Sequence, residues 1–263
     1  MTASAPLSVR LYVLDGGLVR GYDASDLADD GSYHGRLIDI PAPCFLIRHP
    51  EGDLMWESGI SRTRTDLEVE VEFGATVEAQ LAEVGLTPAE IRFLSVSHGH
   101  WDHSGNAGLF AGSTWIVNPD ERAAMFDEEA RATQAMDDYG ALEASDAILI
   151  TDDHDVFGDG SVRIIQSPGH TPGHTALLVH LADAGPILLS GDLWPLAESR
   201  VKRRVPPFNT NRAETLASMD RVEELVAATG ARVVIQHEAA DIAALPQFPA
   251  FLGSAPGAGR STM

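Results

Sequence analysis

Six residues, His98-Gly99-His100-Trp101-Asp102-His103, carry three imidazoles and a carboxylate directly behind a short apolar stretch, Phe93-Leu94-Ser95-Val96-Ser97, that reads as a buried strand. This is metal-ligand chemistry in two groups. In extended chain successive side chains alternate, so His98 and His100 point the same way and can grip one cation, while Asp102 and His103 turn toward a second. Neutral imidazole and carboxylate suit zinc, iron or manganese, whereas calcium and magnesium take all-oxygen shells. The alternative is a set of surface histidines in a polar loop, which has no reason to bring four ligand types into register.

A two-metal site needs further ligands, and the chain offers them where strands end. His170 follows the apolar run Val162 to Gln166, Asp192 follows Ile187-Leu188-Leu189, and His237 follows Val233-Val234-Ile235-Gln236. Each is the first strong ligand type beyond a strand-like run, which is where α/β architectures gather their sites. Singly, each could be a loop histidine or a turn aspartate.

Together the seven residues resemble the ligand pattern of the metallo-β-lactamase superfamily: an H-x-H-x-D-H motif, a later His, a bridging Asp and a last His. The resemblance runs from about Val9 to His237. It implies that His98, His100 and His170 hold one metal, that Asp102, His103 and His237 hold the other, and that Asp192 bridges both. It implies two divalent ions per chain, zinc first, with iron, manganese or cobalt as alternatives. The implied fold is a four-layer αββα sandwich, two mixed β-sheets with helices on their outer faces; without the resemblance the chain reads only as α/β or α+β.

Residues 40–50, 53–59, 204–209 and 215–219 are similar to the N-acyl-homoserine lactonase group, with relatives that cleave other lactones, esters, thioesters or organophosphates as the alternative. The implied reaction opens a lactone ring by attack of a hydroxide that bridges the metals. Asp102 is the implied catalytic residue, accepting a proton and passing it to the leaving oxygen. Lactonases of this group often carry a tyrosine shortly after the bridging Asp, but here the text is Asp192-Leu193-Trp194-Pro195. Trp194 and Phe208, with Pro206 and Pro207, become candidate substrate contacts lining an acyl-chain channel, with core packing as the equal alternative. Tyr22 is a possible substitute for the missing phenol, although ordinary packing is its favoured reading.

The elements that must position these residues are partly legible. Val9 to Leu14 reads as a strand, followed by a polar stretch with Gly and Asp and then a hairpin of Cys44 to Arg48 and Leu54 to Trp56. Val77, Leu81 and Val84 have helical spacing over residues 76–84, closed by Gly85. Thr87-Pro88-Ala89-Glu90 reads as a capping box, and Asn118-Pro119-Asp120-Glu121 opens a helix through Phe126. The clearest helix runs from about Arg212 to Thr229, capped by Asn211 and closed by Gly230, with Leu216, Met219, Val222, Leu225 and Val226 on one face. Among the other histidines, His34, His49, His154 and His180 read as surface or structural, and His174 as a hydrogen-bond partner behind the ligands. The basic run Arg200, Lys202, Arg203 and Arg204 reads as a solvated loop, with a lid over the cleft as the alternative.

Composition bounds the function. The chain has 263 residues, 44% of them hydrophobic, enough for one substantial core. Residues 1–252 read as a single domain and 253–263, rich in Gly, Ser, Ala and Pro, as a flexible tail. The N-terminal residues lack a basic region followed by an apolar stretch and no segment reaches bilayer length, so the expected location is cytoplasmic, without a membrane partner. The single cysteine, Cys44, excludes an intramolecular disulfide and reads as a core thiol. A formal net charge of −21 argues against nucleic acid and for a small neutral lactone or ester substrate. A homodimer is compatible with the sequence.

Overall fold

Strand β1 (Arg10–Leu14) turns Leu11 and Val13 to one side and Tyr12 and Leu14 to the other, and all four are buried. A strand that is apolar on both faces needs cover on both. Its neighbours β4 (Cys44–His49) and β5 (Gly52–Trp56) repeat the pattern, with Phe45, Ile47, Leu54 and Trp56 on the side of Leu11 and with Cys44, Leu46 and Met55 opposite. The computed structural model, which describes residues 8–254, builds them into a seven-stranded sheet. Its order is β15 (Phe251–Gly253), β1, β4, β5, β7 (Phe93–Ser95), β8 (Thr114–Val117) and β9 (Ala147–Leu149). The β15–β1–β4–β5 pairs are antiparallel and the β5–β7–β8–β9 pairs parallel, so the sheet is mixed.

A second mixed sheet faces it, in the order β10 (His154–Asp155), β11 (Val162–Gln166), β12 (Thr175–Leu181), β13 (Gly185–Leu189) and β14 (Arg232–Val234), with only β13–β14 parallel. Ile164, Leu177, Val179, Ile187 and Leu189 meet Leu11, Phe45, Ile47 and Leu54 in the layer between the sheets. Each such side chain contributes roughly 1.5–3 kcal/mol by leaving water, which makes this layer the main adhesive. Helices close the outside. Val77 and Leu81 of helix Val77–Glu83 pack on Tyr12, Leu14 and Leu46, while Met219 and Val222 of helix Arg212–Thr229 pack on Ile165, Leu178 and Leu188. The result is the four-layer αββα sandwich that the resemblance implies.

Local signals set the helix ends. Thr76 accepts from the Ala79 amide, Asn118 from Asp120 and Asn211 from Glu214, Thr87 and Glu90 form a reciprocal capping box, and Gly230 ends the long helix in the left-handed region at φ 69°.

Three expectations need correction. The polar stretch after β1 is not irregular: β2 (Leu18–Asp23) pairs with β3 (Leu37–Pro41) and β6 (Glu70–Glu72) in a third, three-stranded antiparallel sheet. Its short strands expose one face, so they lack the apolar run that announces a buried strand. The tail boundary also moves, because Gly253 pairs with Arg10 in β15; the rest of the expected tail, 255–263, lies outside the described residues. The basic run is not a loop, since Ala197–Lys202 is helical and Arg200 and Arg203 pair with Glu223 and Asp220 on the long helix. No helix among the described residues is long and apolar enough to cross a membrane.

Candidate metal centre

Four strands deliver ligand-type side chains to one rim of the two sheets. β7 leads into His98 and His100, β11 into His170, β13 into Asp192 and β14 into His237. Past His100 the chain is not extended: Trp101–Ser104 forms a helical turn that His100 caps. Alternation therefore accounts for the common direction of His98 and His100, and helical rotation, not alternation, turns Asp102 and His103 away.

Two groups result, His98, His100, His170 and Asp192 in one and Asp102, His103 and His237 in the other, with the donor atoms of each within 4.8 Å of one another. In the first, His98 Nε2 lies 2.8 Å from His100 Nδ1, and His170 Nε2 lies 3.2 and 3.1 Å from those two atoms. Asp192 Oδ2 stands 3.3 Å from His170 Nε2 and 3.8 Å from His98 Nε2. Donors held about 2.0–2.1 Å from a tetrahedral zinc ion are roughly 3.3–3.4 Å apart, so this spacing fits such an ion. In the second group His103 Nε2 and His237 Nε2 are 3.2 Å apart, with Asp102 oxygens at 3.8 and 3.5 Å from them.

Asp192 joins the groups. Its Oδ2 faces the first, while Oδ1 sits 3.2 Å from His103 Nε2 and 3.0 Å from His237 Nε2. Oδ1 is buried and has no hydrogen-bond partner of good geometry. The histidines' outward nitrogens explain why. His237 Nδ1 donates to the Pro41 carbonyl at 2.9 Å and His170 Nδ1 to Asn209 Oδ1 at 2.9 Å; His98 Nδ1 meets Ser97 Oγ at 2.9 Å, and His103 Nδ1 has Glu57 Oε1 and Ser97 Oγ both at 3.2 Å. A neutral ring that donates outward turns its lone pair inward. Several lone pairs then converge on one carboxylate, an arrangement that cations relieve. The residues present fit two of them.

The electrostatics agree with that crowding. Burial, then the neighbouring imidazoles, hold His98 well below its usual pKa and His100 down to about 3. For His103 and His237 burial acts in the same direction, but Asp192 and Asp102, with Glu57 for His103, outweigh it and raise both. Asp192 is pushed well below the carboxylate range, its burial overcome by His237 and His103.

The supports behind the ligands were mostly invisible beforehand. Glu57 is 0% exposed and follows β5 with a left-handed φ of 62°; its second oxygen accepts the Ser97 amide at 3.0 Å. Glu121, readable in sequence only as a first-turn acid, accepts from the Gly99 amide, the Thr171 hydroxyl and the Gly173 amide, tying the His98 loop to the His170 loop. His174 does stand behind the ligands: its Nε2 accepts the Asp192 amide at 2.9 Å. Gly191 is required there, since a Cβ would come within 2.7 Å of that nitrogen and φ is 50°. The sequence signal for Glu57 is an acidic residue at once after an apolar strand.

Beside the ligands lies a cavity of about 270 Å³, lined by His100, Asp102, Asp192 and His237 on one side and by Val19, Tyr22, Leu27, Ile40, Trp101 and Phe208 on the other. Phe208 is 48% exposed, its ring 6.1 Å from that of His100 and 5.7 Å from that of His170. Of the two readings of Trp194, core packing holds. The residue is 1% exposed, packed with Leu193, Val205 and Met219 in the core under the long helix, and is not among the lining residues. Tyr22, whose favoured reading was packing, does pack against the cluster of Val19, Leu27 and Ile40, and it also lines the cavity. Burial first, then Asp26, Asp102 and Asp192, push its phenol up to about 12. The basic residues 200–204 do not line it.

The chain is 29% identical over 248 residues, 88% of its length and 93% of the relative's, to the N-acyl homoserine lactonase AttM of Azorhizobium caulinodans. It is 28% identical over 235 residues, 83% of its length and 89% of the relative's, to an N-acyl homoserine lactonase of a Bacillus species. Its fold matches a variant of the Bacillus thuringiensis lactonase AiiA solved with N-decanoyl-L-homoserine at the active site, with a TM-score of 0.78 and 24% identity over 94% of this chain and 100% of that one. The model of the metallo-beta-lactamase superfamily matches residues 38–237, a span that starts in β3 and ends at the last histidine of the second group, and the chain belongs to that superfamily.

Proposed function

We infer that this protein is a metal-dependent hydrolase that opens the ring of N-acyl-homoserine lactones. The observation that carries the reading is Asp192, shared between two histidine groups in the lining of a cavity with an apolar wall. Support comes from relatives named N-acyl homoserine lactonases over most of their length. His98, His100 and His170 would hold one divalent ion and Asp102, His103 and His237 another, with Asp192 between them. Zinc suits this mixture of imidazole and carboxylate, and a neighbour of the same fold, AidC, is described as a dizinc lactonase. When bound, the ions would supply Lewis acidity and an activated water.

The chain's own residues do the rest. Among the described residues lining the cavity there is no Ser, Cys, Thr or Lys, so the usual alcohol, thiol and amine nucleophiles are missing there. Asp102 lines the cavity, and in this reading its carboxylate takes a proton from the attacking water and returns it to the ring oxygen as the ester bond breaks. Val19, Leu27, Ile40 and Phe208 form the apolar wall that an acyl chain would cover, at about 0.8 kcal/mol for each methylene buried. A neutral substrate suits a molecule of net charge −21.

The test is a substrate panel run on protein of measured metal content: short and long acyl-homoserine lactones, γ- and δ-lactones, a thioester, a β-lactam and a phosphotriester. The expected result is about two transition metals per chain and fastest turnover of the acyl-homoserine lactones. Fully loaded protein that cleaves a thioester or phosphotriester and leaves lactones intact overturns the substrate; a stable stoichiometry near one overturns the pair of metals.

A further inference from the structure

Tyr22 reaches the cavity through a defect in the strand that carries it. In a regular strand residues three apart lie on opposite faces, so Val19 and Tyr22 should point in opposite directions. Both line the cavity. The register explains it: Val19 pairs with Ile40 but Tyr22 pairs with Ile38, so Arg20 and Gly21 on β2 stand against Asp39 alone on β3. That is a β-bulge, which adds one residue and returns the following side chain to the original face. Gly21 takes the left-handed conformation the bulge needs, φ 59°, and nothing else lies within 4 Å of where its Cβ would be, so the glycine serves the backbone and not a close approach. The bulge is clamped from outside. Arg20 donates to Asp39 at 2.6 Å and to Glu72 at 2.8 Å, and the Gly21 amide donates to Asp39 at 3.0 Å.

Bulges of this kind beside a site commonly re-aim a side chain. Tyr22 contributes the sole hydroxyl among the described residues lining the cavity, which the carboxylates of Asp102 and Asp192 also line, both near enough to act on the phenol. Resting on the hydrolase reading above, we propose that the Gly21 bulge exists to aim the Tyr22 hydroxyl at the substrate, where it donates a hydrogen bond to the carbonyl oxygen as that atom gains negative charge. No proton is transferred: the phenol stays neutral, because its burial opposes ionisation. A preorganised donor at a developing oxyanion acts on the barrier more than on ground-state binding.

The experiment compares Tyr22→Phe, Gly21→Val and the double variant with the parent protein, each checked for metal content and Tm. The substrate is whichever member of the panel above the parent turns over. The expected result is a loss of at least tenfold in kcat for Tyr22→Phe with KM within about threefold, a similar loss for Gly21→Val, whose β-branched side chain resists the left-handed backbone, and no further loss in the double variant. Calorimetry with the γ-lactam analogue of N-hexanoyl-homoserine lactone, a ground-state mimic, gives a readout apart from turnover, and Tyr22→Phe should leave its binding within about threefold. A kcat for Tyr22→Phe within twofold of the parent, or losses that multiply in the double variant, overturns the role of Tyr22 and leaves the hydrolase reading standing. A parent protein loaded with metal but inert to the whole panel overturns both.

Discussion

At the scale of single residues, the centre depends on groups that touch no substrate. Glu57 has one oxygen against His103 Nδ1 and the other on the Ser97 amide, so it sets both the ring's orientation and the start of the ligand loop. Its left-handed backbone is strain of the kind that persists where the surroundings over-determine it. Glu57→Gln keeps the shape and removes the charge. It should weaken metal binding about 10- to 100-fold, measured by chelator competition, since outer partners of ligating histidines carry that much affinity; unchanged affinity would show that His103 needs no such support. Trp194 makes the opposite case. Its ring is core and lies under the Arg200 guanidinium at 5.1 Å, so Trp194→Phe should leave kcat within about tenfold, or ~1.4 kcal/mol in the barrier. Trp194→Ala should lower stability by about 3–5 kcal/mol in a denaturant titration through the cavity it creates. A hundredfold loss of kcat in Trp194→Phe with metal content intact would put the indole back in the reaction.

At the scale of elements, the site is held by what lies beside the strands. The segment leading into the long helix latches the His170 loop: the Thr210 amide donates to the His170 carbonyl at 3.0 Å, the Asn211 amide to Gly169 at 2.8 Å, and Ser218 Oγ to Pro168 at 2.7 Å. The segment that caps the long helix therefore also holds the His170 loop. The basic segment beyond Leu196 is an anchor of another sort. Arg200 and Arg203 pair with Glu223 and Asp220 on the helix, and Arg204 with Glu198 and Asp30, and none of residues 200–204 lines the cavity. Exposed pairs of this type contribute about 0–1 kcal/mol. Lys202→Ala and Arg203→Ala should accordingly leave kcat and KM within about twofold; a rise in KM of tenfold or more would revive the lid.

At the scale of the whole molecule, the buried histidines couple metal, proton and fold. In the metal-free protein His98, His100 and His174 have folded-state pKa values below that of free imidazole, about 6.5, so the stability they contribute is present above that pH and is lost as pH falls. His103 and His237 have raised values, so theirs is present below about 6.5 and is lost as pH rises through the folded-state pKa. The metal-free Tm should therefore peak near pH 6–7 and fall on both sides. Bound cations replace the protons beside Asp192, so loading with zinc should flatten the alkaline limb and raise Tm there. Differential scanning calorimetry from pH 5 to 9 with and without metal checks this; a metal-free Tm that climbs steadily to pH 9 would show that protonated His103 and His237 do not hold the empty cage together.

What the amino-acid order determined by itself was local or periodic. The spacing of His98, His100, Asp102 and His103, the strand-end places of His170, Asp192 and His237, the caps at Thr76, Asn118 and Asn211, and the doubly apolar strands are all written within a few residues of where they act. Such signals survive because propensity, capping and alternation are short-range. Tertiary structure alone decided the remainder. That Asp192 divides its two oxygens between the groups, that Glu57 meets His103 and Glu121 ties two loops, and that Trp194 lies in the core while Tyr22 lines the cavity depend on partners tens of residues away. The third sheet shows the reason most plainly. Its strands are short and half-exposed, so composition does not announce them, and the bulge that turns Tyr22 inward exists only in the register between two strands, a relation that neither strand's sequence contains.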